Sequence, residues 1–354
     1  MRLVITGGGT GGHIFPALEV GRLAQERGAD LLYFGSLRGQ ESKICEEVGV
    51  AFTGFPSEPL GSFKSISGLK SMIRLQKARS QARKALKSTL PDVVFSTGGY
   101  SAGPVVAAAR DLKIPYTIHT ADSVPARSSS MFANESAAFT CTFRSTVEFM
   151  TEIRVIRTGQ PIRRELRQAA HNKSEGAALV LVVGGSQGSQ FLNETMPKTA
   201  SSPDFAARVL HACGPKHLDT TTALVNKLNI GYRYDVVPFM NIEQMIDAYL
   251  RATIIVARSG GTLAELALFG LPSVLVPLPA SANNHQFPNA MEFVNMNAAT
   301  LMPQSDATPE KLGAAINGWL RHGERRETAR RNLLRWDVPD ATERIVALIE
   351  QAAK

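Results

Sequence analysis

The chain has 354 residues, enough for two domains with cores of their own, and 44% of them are hydrophobic, which reads as globular rather than disordered. A formal charge of +8 suits anionic partners such as nucleic acid, a membrane surface or phosphorylated substrates. No apolar run reaches the length of a membrane span (PVVAAA at 104–109 is far too short), and Cys45, Cys141 and Cys213 form no C-x-x-C pair, which favours a reducing cytoplasm without structural zinc.

The sequence opens MRLVITGGGTGGHIFPALEVGRLAQERG. Arg2 to Thr6 read as a buried strand, with no basic and apolar leader before it, so no secretory signal is expected. Gly7, Gly9 and Gly12 then fit G-x-G-x-x-G, and PALEVGRLAQERG carries apolar residues at helical spacing up to Gly28. Such a loop lets the backbone approach a ligand, and the helix behind it presents free N–H groups to an anion. His13, directly after Gly12, falls at the helix start, where a neutral imidazole can accept a proton near physiological pH. A dinucleotide site would place an acid at the end of the second strand, ADLLYFG, but Gly35, Ser36, Leu37 and Arg38 follow. That disfavours NAD; Ser36 with Arg38 leaves NADP as a minor option.

The segment 60–88 carries Lys64, Lys70, Arg74, Lys77, Arg79, Arg83, Lys84 and Lys87 and no acid, with Leu69, Met72, Ile73, Leu75 and Leu86 between them. It reads as either a solvated helix face or a helix lying on an anionic bilayer. Nucleic acid is not expected, because no aromatic residues are interleaved for stacking on bases.

PDVVFSTGG and IPYTIHT continue as strands, and RVIRTGQPIRREL (154–166) reads as a polar connection. ALVLVVGGSQGSQFLNETMPK (178–198) then repeats the opening device of strand, glycine turn and helix. VLHACG, YDVVPFM and TIIVARSGGTLAELALFGLPSVLVPLP follow. Alternating strands and helices with two such openings predict an α/β protein of two doubly wound, Rossmann-like domains facing a cleft, with ligands at the carboxyl ends of the strands. In the last stretch a Ser-Gly-Gly turn precedes a helix carrying Glu265, a carboxylate suited to vicinal ribose hydroxyls while the turn amides face phosphate. The polar loop PASANNHQFPNA (279–290) offers His285, Gln286 and Asn289 to sugar hydroxyls. No D-x-D motif, no His or Cys cluster with metal spacing and no G-x-x-x-x-G-K-[ST] loop occurs, so no metal and no cofactor is expected.

Taken together and in order, GGGTGGHIFP (7–16), GGYSAGP (98–104), GQPIR (159–163), GGSQGS (184–189), SGG…LAE (259–265), HQFPNA (285–290) and PDATERI (339–345) resemble the MurG family of N-acetylglucosaminyltransferases. The resemblance implies the GT-B fold, with an acceptor- and membrane-facing domain over 1–158, a UDP-GlcNAc-binding domain over 159–339, and a C-terminal helix from about 340 packing back on the first domain. It implies inverting transfer of GlcNAc from UDP-GlcNAc to the MurNAc 4-hydroxyl of lipid I, giving lipid II, by a peripheral enzyme on the cytoplasmic face of the bacterial inner membrane. Donor contacts carried over are Thr10, Gly11, Gly12, Asp122, Arg163, Ser186, Gly260, Gly261, Thr262, Leu263, His285 and Gln286, the backbone of Met240 for the uracil, and Glu265 for the ribose. His13 and Asp122 are the candidate bases.

Three departures from the family pattern stand out. His119, Thr120, Ala121 and Asp122 occupy the place of H-E-Q-N, so a carboxylate replaces a donor-contacting amide. The SGG…LAE element is one residue shorter than usual, and His285-Gln286 replaces a Gln-Gln pair. Rival readings are another GT-B lipid glycosyltransferase or UDP-sugar epimerase, an NADP oxidoreductase, and a sugar-nucleotide binder without turnover.

Overall fold

A computed structural model describes residues 1–58, 66–170, 178–279, 281 and 284–354, with the side chains of 66–70 outside that description. Two compact units emerge: unit 1, Met1–Arg163 with Val338–Lys354, and unit 2, Arg164–Asp337. The chain therefore passes between units at 163/164 and 337/338.

Unit 1 holds a seven-stranded parallel sheet in the order β3-β2-β1-β4-β5-β6-β7. Its strands are β1 (Arg2–Thr6), β2 (Asp30–Ser36), β3 (Ala51–Phe55), β4 (Val93–Ser96), β5 (Tyr116–Thr120), β6 (Ala138–Cys141) and β7 (Val155–Arg157). The last of these lies within the stretch read above as a polar connection; three half-buried edge residues among arginines carry too little apolar signal to show as a strand. The helices are α1 (Gly11–Glu26), α2 (Glu41–Glu47), α3 (Ile66–Thr89), α4 (Ala102–Asp111), α5 (Arg127–Ser130) and α6 (Arg144–Phe149).

Strand alternation divides the core in two. Val4, Phe34 and Val94 pack with Ala78, Ala82 and Leu86 of α3 and with Val105–Ala109 of α4. Leu3, Ile5, Tyr33 and Phe95 face the other way, onto Ile14, Ala17, Val20 and Ala24 of α1 and onto Ile345, Val346 and Ile349 near the C-terminus. Helix α1 lies close on the sheet because Gly21 has no side chain: a Cβ there would meet Ile5 at 2.9 Å and Leu31 at 3.0 Å. Burying these apolar faces stabilises the unit at roughly 25 cal/mol per Å2 removed from water.

Unit 2 repeats the plan with six parallel strands, order β10-β9-β8-β11-β12-β13. They are β8 (Leu179–Val183), β9 (Arg208–Ala212), β10 (Tyr234–Val237), β11 (Ile254–Ala257), β12 (Ser273–Leu275) and β13 (Ala299–Leu301). Helices α7 (Arg164–Ala169), α8 (Gln190–Ala200), α9 (Leu218–Lys227), α10 (Ile242–Arg251), α11 (Thr262–Phe269), α12 (Gln286–Asn295), α13 (Pro309–Arg321) and α14 (Gly323–Trp336) surround it. The chain then returns to unit 1 as α15 (Ala341–Ala352). In each sheet the first strand of the unit is central and the order reverses beside it, at β1/β4 and β8/β11, which is where open α/β sheets bind ligands. Among the described residues no helix is long and apolar enough to cross a membrane.

Candidate active site

In unit 1 the glycine loop between β1 and α1 rests on the turn after β4. Gly8 donates to the Gly98 carbonyl at 3.2 Å, and a Cβ on Gly99, whose φ is +85°, would run into the Gly8 carbonyl. Thr10 caps α1 through its carbonyl, which accepts from His13 at 3.1 Å and Ile14 at 3.2 Å. The Gly11 and Gly12 amides open the helix and have no acceptor within it, as at any helix start.

His13 Nδ1 lies 2.9 Å from the Thr97 carbonyl, and Thr97 Oγ1 donates back to the His13 carbonyl at 2.7 Å. A carbonyl only accepts, so Nδ1 carries a proton, and in the neutral ring Nε2 keeps its lone pair. The fold thus fixes the tautomer a general base requires.

His119 is fully buried at the end of β5, its Nδ1 2.9 Å from Thr140 Oγ1 and its Nε2 3.2 Å from both Thr142 Oγ1 and Gln160 Oε1. Burial pushes it down to about 4; the hydrogen bond to Gln160 opposes that and the nearby His13 adds to it. This network braces the segment Thr120–Ser123. Asp122 is half-buried there, and its carbonyl accepts from Thr120 and Thr146, each at 3.3 Å. The Arg163 guanidinium lies 4.6 Å over the Phe15 ring of α1.

Ser36 and Arg38 are already engaged. Ser36 donates to the Ser57 carbonyl at 2.8 Å, and Arg38 pairs with Glu58 at 2.5 Å. The grip on a 2′-phosphate that kept NADP open is therefore occupied by the protein itself.

In unit 2 the second glycine loop, 184–189, exposes Ser186, while Gly188 and Gly214 pack backbone against backbone. Ser189 caps α8 by accepting from Leu192 at 3.4 Å. Met240 is buried at the end of the loop after β10, where Asn241 and Gln244 close a capping box on α10. Gly260 and Gly261 form the turn into α11, with Leu263 N donating to the Gly260 carbonyl at 3.1 Å, Thr262 half-buried and Leu263 buried.

Glu265 is held from α10: the Tyr249 hydroxyl donates to its Oε2 at 2.6 Å, and the Tyr249 ring packs on Phe269 at 5.0 Å. Gln286 Oε1 accepts from Leu278 N at 2.9 Å, which turns its amide nitrogen toward Gly260. Asn289, fully buried, donates to the Ser259 carbonyl at 3.0 Å, so it serves the turn rather than a ligand. His285 sits half-buried at the N-cap of α12; residues 280, 282 and 283 of its loop lie outside the described residues.

In α3, Ser71, Ala78, Ala82 and Leu86 face the core, while Met72 and Ile73 are exposed. Arg74 pairs with Glu58 at 2.6 Å and Arg79 with Asp111 at 2.6 Å. Lys77, Arg83, Lys84 and Lys87 are exposed and join no ion pair among the described residues. Lys64 and the side chain of Lys70 lie outside that description.

Sequence reasoning missed three groups at these turns. They are Tyr249 beneath Glu265, Arg258 beneath the Ser-Gly-Gly turn, and Glu41 beneath the first glycine loop. Arg258 is buried and donates to the Val276 carbonyl at 2.9 Å, the Pro277 carbonyl at 3.0 Å and Gln304 Oε1 at 2.8 Å. None of the three sits in a recognisable motif; Arg258 adjoins one.

Two parallel-sheet units with glycine turns at the carboxyl ends of their first strands are the GT-B architecture, and the family models that match both units make it a glycosyltransferase. The glycosyltransferase family 28 N-terminal domain matches residues 3–138 and the family 28 C-terminal domain residues 179–345. The UDP-N-acetylglucosamine–N-acetylmuramyl-(pentapeptide) pyrophosphoryl-undecaprenol N-acetylglucosamine transferase of Lactococcus lactis subsp. lactis is 32% identical over 362 residues, covering 100% of both chains. The enzyme of the same name from Halalkalibacterium halodurans is 33% identical over 374 residues, again covering 100% of both. The crystal structure of MurG from Acinetobacter baumannii superposes with a TM-score of 0.80 at 27% identity, covering 99% of each chain. The chain belongs to the MurG family.

Proposed function

We propose that the protein transfers GlcNAc from UDP-GlcNAc to the 4-hydroxyl of the MurNAc unit of undecaprenyl-pyrophosphoryl-MurNAc-pentapeptide, with inversion at the sugar C1. The observation that carries this reading is the full-length likeness, at about a third identity, to enzymes whose names specify that transfer. Unit 2 takes the donor. Glu265, oriented by Tyr249, accepts from the ribose hydroxyls; the backbone at Met240 reads the uracil; Ser186, Gly260, Gly261, Thr262 and Leu263 face the diphosphate; His285 and Gln286 meet the sugar. Arg163, Thr10, Gly11, Gly12 and Asp122 complete the donor set.

Unit 1 takes the acceptor. His13 Nε2 removes the proton of the 4-hydroxyl as its oxygen attacks C1, the bond from C1 to the UDP oxygen breaks, and UDP leaves with its charge held by amides and helix starts. Asp122 is the second candidate for the base. The lipid part of the acceptor calls for a surface that meets a bilayer. Met72 and Ile73 beside Lys77, Arg83, Lys84 and Lys87 of α3 suit an anionic one, at the cytoplasmic face of the membrane.

UDP release from UDP-GlcNAc with and without a lipid I analogue tests the reading. Release that depends on the analogue is expected; release indifferent to it, or absence of UDP-GlcNAc binding, overturns the assignment. Binding to vesicles containing anionic lipid should fall steeply with salt, and salt-independent binding would remove the electrostatic role of α3.

A further inference from the structure

In the first turns of α1, Ile14, Ala17 and Val20 face the core, while Phe15 is half-buried outside it. Helical side chains lean toward the N-terminus, so a residue at i+4 covers residue i. Phe15 accordingly lies over Gly11: a Cβ there would meet the ring at 3.0 Å and 3.2 Å. The missing side chain lets the ring rest on bare backbone at the helix start. The same ring carries the Arg163 guanidinium, 4.6 Å from its centroid, and Arg163 is itself half-buried. His13, two positions before Phe15, lies on a different side of the helix and is held separately, through the Thr97 carbonyl.

The backbone leading to Arg163 is fixed in unit 1. The Thr158 and Gly159 amides both donate to the Cys141 carbonyl, at 3.1 Å and 3.2 Å, Gln160 meets His119, and Ile162 is buried. Directly after Arg163 the chain leaves the unit. An arginine side chain on such a stem keeps many rotamers, and gripping a ligand costs it that freedom. A guanidinium stacked on an aromatic ring gives up the freedom beforehand and keeps its in-plane N–H donors for an anion. We propose that Phe15 is a positioning residue: its ring holds the Arg163 guanidinium beside the first glycine turn, preset for the anionic part of the sugar nucleotide. This rests on the transfer reading above, which gives Arg163 to the donor, and deepens it. Gly11 then serves the ring as well as the helix start, because any side chain there would push the ring, and the guanidinium with it, outward.

A double-mutant cycle tests the role. Phe15→Leu keeps an apolar side chain and removes the flat face; Arg163→Ala removes the group to be positioned. Calorimetry with UDP-GlcNAc is expected to show affinity about fivefold weaker in F15L, at least about tenfold weaker in R163A, and no weaker in the double variant than in R163A. Phe15→Tyr, which keeps the face, should restore most of the affinity. In steady-state turnover with a lipid I analogue, F15L should raise the KM for UDP-GlcNAc by the same factor and leave the pH dependence of kcat where it is in the parent, since His13 is held elsewhere. Should F15L fail to fold, Phe15→Met takes its place in the cycle. An equal loss from F15L with and without Arg163 overturns the positioning role, as does a shifted pH profile, which would mean that the ring acts on His13 instead. A parent that binds UDP-GlcNAc while the losses add overturns the role of Phe15 alone; a parent that binds no UDP-GlcNAc overturns the transfer reading and this role with it.

Discussion

The two units end their central strands with the same device, a glycine turn leading into a helix, yet opposite charges lie beneath the turns. Under the first loop of unit 1 sits the Glu41 side chain, with no cation paired to it among the described residues. Beside the Ser-Gly-Gly turn of unit 2 sits the Arg258 guanidinium, bonded among the described residues to neutral oxygens. A buried charge acts over a longer range than an exposed one because solvent screens it less. Two similar glycine turns therefore rest on buried groups of opposite kind, an acid under one and a guanidinium beside the other. The difference lies in residues beneath the loops, outside the glycine motifs.

The comparison breaks most sharply at His13. With Nδ1 committed to the Thr97 carbonyl, Nε2 is the one ring nitrogen left to take a proton. Steady-state turnover of His13→Ala should drop by about 10²–10⁴, the usual worth of a positioned general base, with UDP-GlcNAc affinity held. Turnover within a few-fold of the parent would remove His13 as the essential base and leave Asp122.

The glycines of the two turns differ in a way that stability measurements can read. Gly99 has φ +85° and its Cβ would strike the Gly8 carbonyl; Gly185 has φ +93° but open space around it. Gly99→Ala combines conformational strain with a backbone clash and should cost about 3 kcal/mol or more. Gly185→Ala carries strain alone, about 1–2 kcal/mol. Denaturant melts of the two variants provide the measurement, and equal losses would mean that the approach of Gly99 to Gly8 is not tight in solution.

Each unit also buries a neutral histidine in its sheet. Burial pushes His119 down to about 4, as described above, and His211 to about 3. The unfolded chain takes up these protons near the ordinary 6.5, before the folded one does. Stability is therefore complete above that value and falls as pH drops toward the folded values. Between pH 7 and pH 5 each histidine should account for a loss of about 2 kcal/mol, visible in melts at the two pH values. His211 has Tyr234 at 2.8 Å on Nδ1 and no partner on Nε2, so His211→Leu should remove its share of the slope, whereas His119 is tied to three polar groups and should tolerate replacement less well.

What could be read from sequence follows the same division. The strand–glycine–helix openings at 2–24 and 178–196 stood out because β1 and β8 are apolar on both faces and glycine runs follow them at once. Short or partly exposed strands, such as β3 (one of its five residues buried) and β7 (none of three), lack both the alternation and the apolar run that reveal a strand. Glu41 reads in ESKICEE as an ordinary first-turn acid. It meets the Gly9 amide because β2 lies next to β1 and α2 follows β2. His285 and Gln286 were legible as sugar-facing candidates, but the bond that fixes the Gln286 amide comes from Leu278, across the polar loop.

The smallest expected effect tests whether unit 2 orients Glu265, the proposed ribose acid, as firmly as unit 1 orients His13, the proposed base. Tyr249 belongs to α10 and Glu265 to α11, so their 2.6 Å hydrogen bond joins two elements that sequence does not connect. Tyr249→Phe keeps the ring packed on Phe269 and removes only the hydroxyl, so stability should change by no more than about 1 kcal/mol. The carboxylate would then lose the tether from α10. The KM for UDP-GlcNAc should rise roughly fivefold, the equivalent of about 1 kcal/mol, with kcat and the acceptor KM near parent values. A fall in kcat with an unchanged donor KM would instead place Glu265 among groups that act in the transition state, and would bring the two turns closer in chemistry than their buried charges suggest.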